Sequence, residues 1–173
     1  MKAIVPAIVV LFLCGAASAQ MVQVPTVQSC NIGNAHGSAS IYLSKRDDFN
    51  NTGYMDITVT DVGCDPVSGD GHPYGLITMR FSLSDSSISD MQVTLIEQMT
   101  VVGKHTPTTY LSGRCTADGG VPCHFWLTLT DNRLPNIAGT ADVVGVLVLD
   151  KKGNPLTYGT GPVRTGDVSV TQY

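Results

Sequence analysis

The stretch that decides the fold is TYLSGRCTADGGVPCHFWLTLT, residues 109–130, in which two alternating segments flank a glycine-rich turn. Residues at every other position of the second segment are apolar: Cys123, Phe125, Leu127 and Leu129. In an extended strand this spacing places them on one face, which a core can bury. Between the segments, residues 118–120 (Asp-Gly-Gly) and Pro122 are of the types that reverse a chain. The stretch therefore predicts a β-hairpin with one buried face.

The two cysteines of this hairpin have two interpretations, a disulfide or a metal site with His124. A zinc site requires a close-spaced pair of ligands and a fourth ligand, and the stretch has neither. Cys123 and His124 are also adjacent, so on a strand they point to opposite faces. We therefore expect Cys115 and Cys123 to form a disulfide across the turn.

The same alternation recurs along the chain, and no segment keeps the apolar spacing of a helix. It predicts about nine strands and an all-β fold. We expect a two-sheet antiparallel β-sandwich of Ig-like or Greek-key type, with a β-barrel as the alternative. The most apolar segment, residues 141–150 (ADVVGVLVLD), is expected to be a central strand covered on both faces. The other expected strands are 38–44, 54–62, 76–83, 91–102, 109–114, 123–130, 156–159 and 167–173.

The first residues have the pattern of a secretory signal peptide. Lys2 precedes an apolar run, and the small residues Ala17, Ser18 and Ala19 form an A-x-A cleavage site. We expect residues 1–19 to be removed, residues 20–29 to form an N-terminal extension, and residues 30–173 to form one β-sandwich domain. The protein is then secreted or periplasmic, with no membrane span.

The cysteine count agrees with an oxidising compartment. The chain has five cysteines, and Cys14 would leave with the signal peptide. The remaining four allow three connectivities, of which we favour Cys30 with Cys64 and Cys115 with Cys123.

The charge balance argues against partners that need a basic surface. Ten Lys and Arg residues stand against fourteen Asp and Glu residues, for a formal net charge of −4, and they are scattered. Nucleic acids and anionic membranes are bound through dense basic patches, so we expect neither as a partner.

Candidate catalytic and metal-binding residues are few. The histidines His36, His72, His105 and His124 are isolated in sequence, and no nucleophile-elbow or zinc-binding motif is present. Asp61, Asp65 and Asp70 lie in or beside a glycine-rich loop and carry oxygens suited to calcium, but their spacing is not that of an EF-hand, and a turn is the simpler interpretation. We expect no metal, no cofactor and no catalytic residues, with an enzyme whose site is dispersed in sequence as an alternative.

Aromatic residues beside the turns are the candidate binding residues. Trp126 and Tyr110 flank the hairpin turn, and Tyr74 lies in the glycine-rich loop. Exposed aromatic side chains at such places are natural contacts for a protein or a carbohydrate. On a strand, Trp126 points to the face opposite that of Phe125 and Leu127. Its side chain is therefore either exposed or part of a layer that covers the second face of the sheet. We therefore expect a non-catalytic protein used for binding or surface assembly.

The two ends of the chain resemble pilin subunits of the chaperone-usher and spore coat U type. Residues 20–29 (QMVQVPTVQS) correspond to a short N-terminal extension, Cys30 and Cys64 to an early disulfide, and residues 167–173 (DVSVTQY) to a terminal strand ending near an aromatic residue. The resemblance implies a sandwich with an incomplete sheet that the extension of a neighbouring subunit fills, and hence self-assembly.

Replacing Cys123 with Ser should lower the free energy of unfolding by about 2–3 kcal/mol, because the disulfide closes a short loop in the unfolded chain. Thermal denaturation measures the change, and binding of any partner should persist at low temperature. An unchanged melting temperature together with loss of a bound metal would show that the cysteines are ligands.

Overall fold

The computed structural model describes residues 29–30, 33–44, 52–64, 72–132 and 140–173. These residues form nine strands, and none of them lies in a helix long and apolar enough to cross a membrane. The signal peptide and residues 20–28 of the expected extension lie outside the described residues. The strands are β1 Ser29–Cys30, β2 Gly33–Ser44, β3 Thr52–Cys64, β4 Pro73–Leu83, β5 Asp90–Val102, β6 Thr108–Ala117, β7 Val121–Thr130, β8 Val143–Asp150 and β9 Pro155–Gln172.

Eight of the strands close into an antiparallel barrel. Each strand from β2 to β9 pairs with the next, and β9 returns to pair with β2 from Ser44 opposite Thr160 to Gly33 opposite Gln172. The expectation of an all-β fold is confirmed, but the two-sheet sandwich is wrong and the alternative, a β-barrel, is correct. A strand with one buried face has the same alternating sequence in a sandwich and in a barrel. The two architectures differ only in whether the first and last strands pair with each other.

The inward side chains form one continuous core. Its fully buried large members come from five strands, and they are Ile41, Leu43, Met55, Ile57, Val62, Ile77, Met79, Met91, Met99, Phe125, Leu127 and Leu129. Eight strands enclose an interior just wide enough for side chains to fill, and this core occupies it. The outward side chains and the two ends of the barrel therefore remain as surfaces for binding.

Both expected disulfides are present, one at each end of the barrel. Cys115 and Cys123 are directly opposite in the β6–β7 ladder, with 4.9 Å between their Cα atoms. Cys30 of β1 is joined to Cys64 at the end of β3, with 5.9 Å between the Cα atoms. The first bond closes the hairpin, and the second holds the start of the described chain against the barrel. Disulfides persist in oxidising compartments, so both bonds indicate an extracytoplasmic environment.

The last two expected strands, 156–159 and 167–173, are parts of the single strand β9. The intervening glycines and Pro162 predict a break in the strand, but β9 is continuous through them. At Gly161 a side chain would collide with the carbonyl oxygen of Tyr42 on β2, so only glycine permits this approach. The β2–β9 register shifts between Ser40 and Ile41, where Arg164 is skipped. Pro162 is opposite Val143 of β8, and no ladder pair joins it to β2. Proline tolerates such a position because it has no N–H to donate.

Strand β8 is also less enclosed than expected. Its inward residues Val144, Val146 and Val148 are buried, whereas Val143 and Leu147 on the outer face are half-buried. The expectation that residues 141–150 are covered on both faces is therefore wrong, because the barrel has only one inner layer. The apolar residues of β8 belong partly to the core and partly to the outer surface.

The β8–β9 turn is held by its own polar groups. Asp150 accepts hydrogen bonds from the backbone N–H groups of Lys152 at 2.7 Å and Asn154 at 2.8 Å, and from Asn154 Nδ2 at 2.8 Å. The Asn154 side chain, followed by the Asn154 backbone, holds the pKa of Asp150 below its ordinary value of 3.8. Gly153 supplies the positive φ of 86° that the turn requires.

A buried carboxylate fixes the loop between β7 and β8 to β9. Asp142 is fully buried, and its two oxygens accept hydrogen bonds from the backbone N–H groups of Asn132 at 2.9 Å and Val168 at 3.4 Å. Its carbonyl oxygen accepts from the N–H of Val163 at 2.8 Å. These bonds satisfy backbone donors at the end of the barrel, so Asp142 has a structural role.

Replacing Asp142 with Asn should destabilise the protein by about 1–3 kcal/mol, because the amide nitrogen cannot accept one of the two backbone N–H groups. Chemical denaturation measures the loss. Asp56→Asn is the matched control, since Asp56 is exposed on β3 and should change stability by less than about 0.5 kcal/mol. Equal stability of the two variants would contradict the structural role.

Candidate binding face

Two of the three candidate aromatic residues lie side by side on the outer surface. Trp126 of β7 is 46% exposed and Tyr110 of β6 is 50% exposed. In the β6–β7 ladder Trp126 is opposite Ser112, and Tyr110 is opposite Thr128. The two residues are therefore diagonal neighbours in the ladder, and their Cα atoms are about 7 Å apart. Trp126 contributes to the outer surface and not to the core.

Tyr74 lies on a different part of the barrel. It is 53% exposed on β4, where it pairs with Gly63 of β3. Its ring covers Gly63, because a side-chain carbon built on Gly63 would lie 2.9 Å from the Tyr74 hydroxyl. The pairing that brings Tyr110 and Trp126 together does not include Tyr74.

Two residues that the sequence did not single out extend the surface beyond Trp126. In the β7–β8 ladder Trp126 is opposite Leu147, and in the β8–β9 ladder Leu147 is opposite Tyr158. Leu147 and Tyr158 are half-buried. We call Trp126, Leu147 and Tyr158 the aromatic row. The sequence predicted Leu147 to be buried, so it was not a candidate. Tyr158 lies beside it only because β8 pairs with β9, and the sequence of either strand alone does not show this pairing.

A second row beside it carries hydroxyl groups. Thr128 of β7, Gly145 of β8 and Thr160 of β9 are directly opposite one another. A side-chain carbon on Gly145 would lie 2.7 Å from Thr128 Oγ1 and 3.5 Å from Thr160 Oγ1. The missing side chain thus makes room for the Thr128 hydroxyl over Gly145, whose carbonyl oxygen accepts a hydrogen bond from Thr128 Oγ1 at 3.5 Å. Thr160 Oγ1 donates to the carbonyl of Val144 at 3.2 Å, which orients this hydroxyl.

The rows are part of an outer surface of the barrel without charged side chains, which we call the neutral face. It consists of twelve outward residues on β6–β9, none of them buried: Thr108, Tyr110, Ser112, Trp126, Thr128, Thr130, Val143, Gly145, Leu147, Tyr158, Thr160 and Pro162. Strand spacing and residue rise give it about 14 Å in each direction. Arg114 lies beyond its edge, opposite His124, and its Nε contacts Glu97 Oε1 at 2.7 Å.

A cleft of about 490 Å³ lies at the end of the barrel where β9 finishes. The loop after β5 contributes Lys104 and Pro107, and β9 and the residue after it contribute Thr171 and Tyr173. The Tyr173 hydroxyl accepts a hydrogen bond from Asn34 Nδ2 at 2.6 Å. The cleft combines one amine with backbone and hydroxyl groups, and it holds none of the candidate residues.

The candidate catalytic and metal residues are dispersed. All four histidines are exposed, while Cys123 is buried in its disulfide, so Cys123 and His124 point to opposite faces as expected. Asp61 is described, with a φ of 46°, whereas Asp65 and Asp70 lie outside the described residues. Within the described ranges, no group of three His, Cys, Asp or Glu side chains is placed to hold a metal ion.

Comparison of the chain with protein-family models, with curated proteins and with solved structures finds no match.

The fluorescence of this protein should report on the neutral face, because Trp126 is the only tryptophan. An exposure of 46% predicts emission typical of a hydrated indole and efficient quenching by acrylamide in the folded protein. Blue-shifted emission that acrylamide quenches only after unfolding would show that Trp126 is buried.

Proposed function

We propose that this is a secreted or periplasmic, non-catalytic protein that binds a neutral carbohydrate through the neutral face. The observation that carries the proposal is the exposure of Trp126 and Tyr110 on an uncharged outer surface of the barrel. Large aromatic side chains lose the benefit of burial when they face water, and they regain it when a ligand covers them.

The aromatic row suits the apolar faces of sugar rings. A pyranose presents C–H groups on its faces, and these stack on aromatic rings. Trp126 and Tyr158 are separated by one strand, which places them about 10 Å apart. Each ring is thus able to stack against a different sugar residue of one glycan chain, with Leu147 filling the space between them.

The threonine hydroxyls suit the edges of the same rings. Thr128 and Thr160 flank Gly145, and both are able to exchange hydrogen bonds with sugar hydroxyls. The absence of charge from the twelve residues of the neutral face favours a neutral glycan over an acidic one. A protein partner is the other expected class, but protein interfaces favour arginine beside aromatic anchors, and the neutral face has none.

Export of the protein is supported by sequence and by chemistry. Residues 1–19 have the signal-peptide pattern, and the two disulfides suit an oxidising compartment. Glycans of cell surfaces and of the extracellular matrix are found on that side of the membrane.

No specific observation favours the other two functions. A pilin-like subunit requires an incomplete sheet beside its terminal strand, whereas β9 pairs with both β2 and β8. An enzyme with a dispersed site requires converging polar groups, and the four histidines lie exposed on β2, on β7, before β4 and between β5 and β6.

Binding to a panel of neutral polysaccharides, for example cellulose, chitin and β-1,3-glucan, tests the proposal in a depletion assay. Wild-type protein should bind at least one of them, and Trp126→Ala should weaken that binding by at least ~10-fold, as expected for a central aromatic anchor. Tyr110→Ala should have a smaller effect in the same direction. Quenching or a blue shift of Trp126 emission on adding soluble oligosaccharide gives a second readout.

Tyr74→Ala is the matched control, because Tyr74 is equally exposed but lies outside the neutral face. Its affinity should equal that of the wild type. Equal losses in the Tyr74 and Trp126 variants, or the absence of binding to every polysaccharide, would overturn the proposal.

A further inference from the structure

The barrel has one weakly joined place, between β4 and β5. These strands pair only at Thr78, Met79 and Arg80 of β4, opposite Gln92, Met91 and Asp90 of β5. Both strands continue beyond this point, β4 back to Pro73 and β5 on to Val102. We call residues 73–77 of β4 and 93–97 of β5 the seam, since no ladder pair joins them among the described residues.

One end of the seam is occupied by the short strand β1. Ser29 and Cys30 pair in parallel with Gln98 and Met99 of β5. Cys30 is also bonded to Cys64, which is opposite Pro73 at the start of β4. The disulfide therefore fixes β1 between the two strands, with its N-terminal end directed along β5 towards Val93.

The flanks of the seam are unusually apolar for an outer surface. Tyr74 and Leu76 of β4 are 53% and 42% exposed, and Leu95 of β5 is 39% exposed. Strand edges without partners bind further strands, and exposed apolar side chains beside them favour such an addition.

We propose that the seam takes residues 24–28 of the same chain (VPTVQ) as an added strand parallel to β5. Continuing the register of Ser29 with Gln98 places residues 24–28 beside residues 93–97, which is the length of the seam. This occupant is covalently joined to β1, so its effective concentration at the seam exceeds that of any segment from solution. Val24 and Val27 supply apolar side chains, and Pro25 limits pairing at the far end.

An engineered disulfide tests both the occupant and its register. In the double variant Thr26→Cys with Leu95→Cys, the two new cysteines are directly opposite in the proposed register, and Leu95 is exposed, so its replacement spares the core. We expect a third disulfide within one chain after oxidation, identified by peptide mapping with the two native disulfides intact. Gln23→Cys with Leu95→Cys is the control, since residue 23 lies about 10 Å further along and should crosslink at least ~10-fold more slowly.

The other outcomes each contradict the proposal. A crosslink between two chains would assign the seam to a second copy. Equal crosslinking of the control, or none in either variant, would show that residues 24–28 do not pair there.

Deletion of residues 20–28 gives an independent measurement: the amides of residues 94–97 should exchange with deuterium at least ~10-fold faster, while the β6–β7 ladder and polysaccharide binding stay unchanged. Unaltered exchange at 94–97 would also contradict the proposal.

Discussion

The pairing of β9 with β2 is the constraint on which the rest of the structure depends. Without it, the eight strands would be an open sheet with two free edges, and its apolar face would need a second layer to cover it. With it, that face becomes an interior that the chain's own side chains fill. A ligand has only the outer surface and the ends of the barrel available, and the neutral face, with two exposed aromatic rings, is the surface that we propose for binding.

The strands were largely predictable from the sequence, and their assembly was not. Alternation from Met55 to Val59 or from Cys123 to Leu129 is local, and it marks a strand with one buried face in any architecture. Closure depends on residues far apart, such as Gly33 opposite Gln172. Gly161 and Pro162 are residue types that usually end a strand, yet β9 runs through both. At Gly161 β2 approaches too closely for a side chain, and Pro162 pairs with β8 but has no ladder pair with β2. These reasons exist only in the closed barrel.

The composition of the neutral face was predictable only in part, for the same reason. The phase of Trp126 against Phe125 and Leu127 is a local signal, and it identified a residue able to face outward. Leu147 and Tyr158 become its neighbours only through the β7–β8 and β8–β9 ladders, so no single segment reveals them. The apolar run of β8 predicted a strand buried on both faces. In a barrel, however, only every second residue of the strand faces the core, and the others lie on the outer surface. That surplus of apolar surface is a feature a ligand would cover.

Chemical-shift mapping by NMR, with a neutral oligosaccharide titrated into the labelled protein, shows whether carbohydrate binds at the neutral face. We expect shifts confined to outward groups of β6–β9, above all the Trp126 indole N–H and the amides of Thr128 and Gly145, with the core methyl groups of Leu127 and Val146 little changed. Shifts concentrated at the barrel end around Lys104 and Tyr173, or throughout the core, would contradict it.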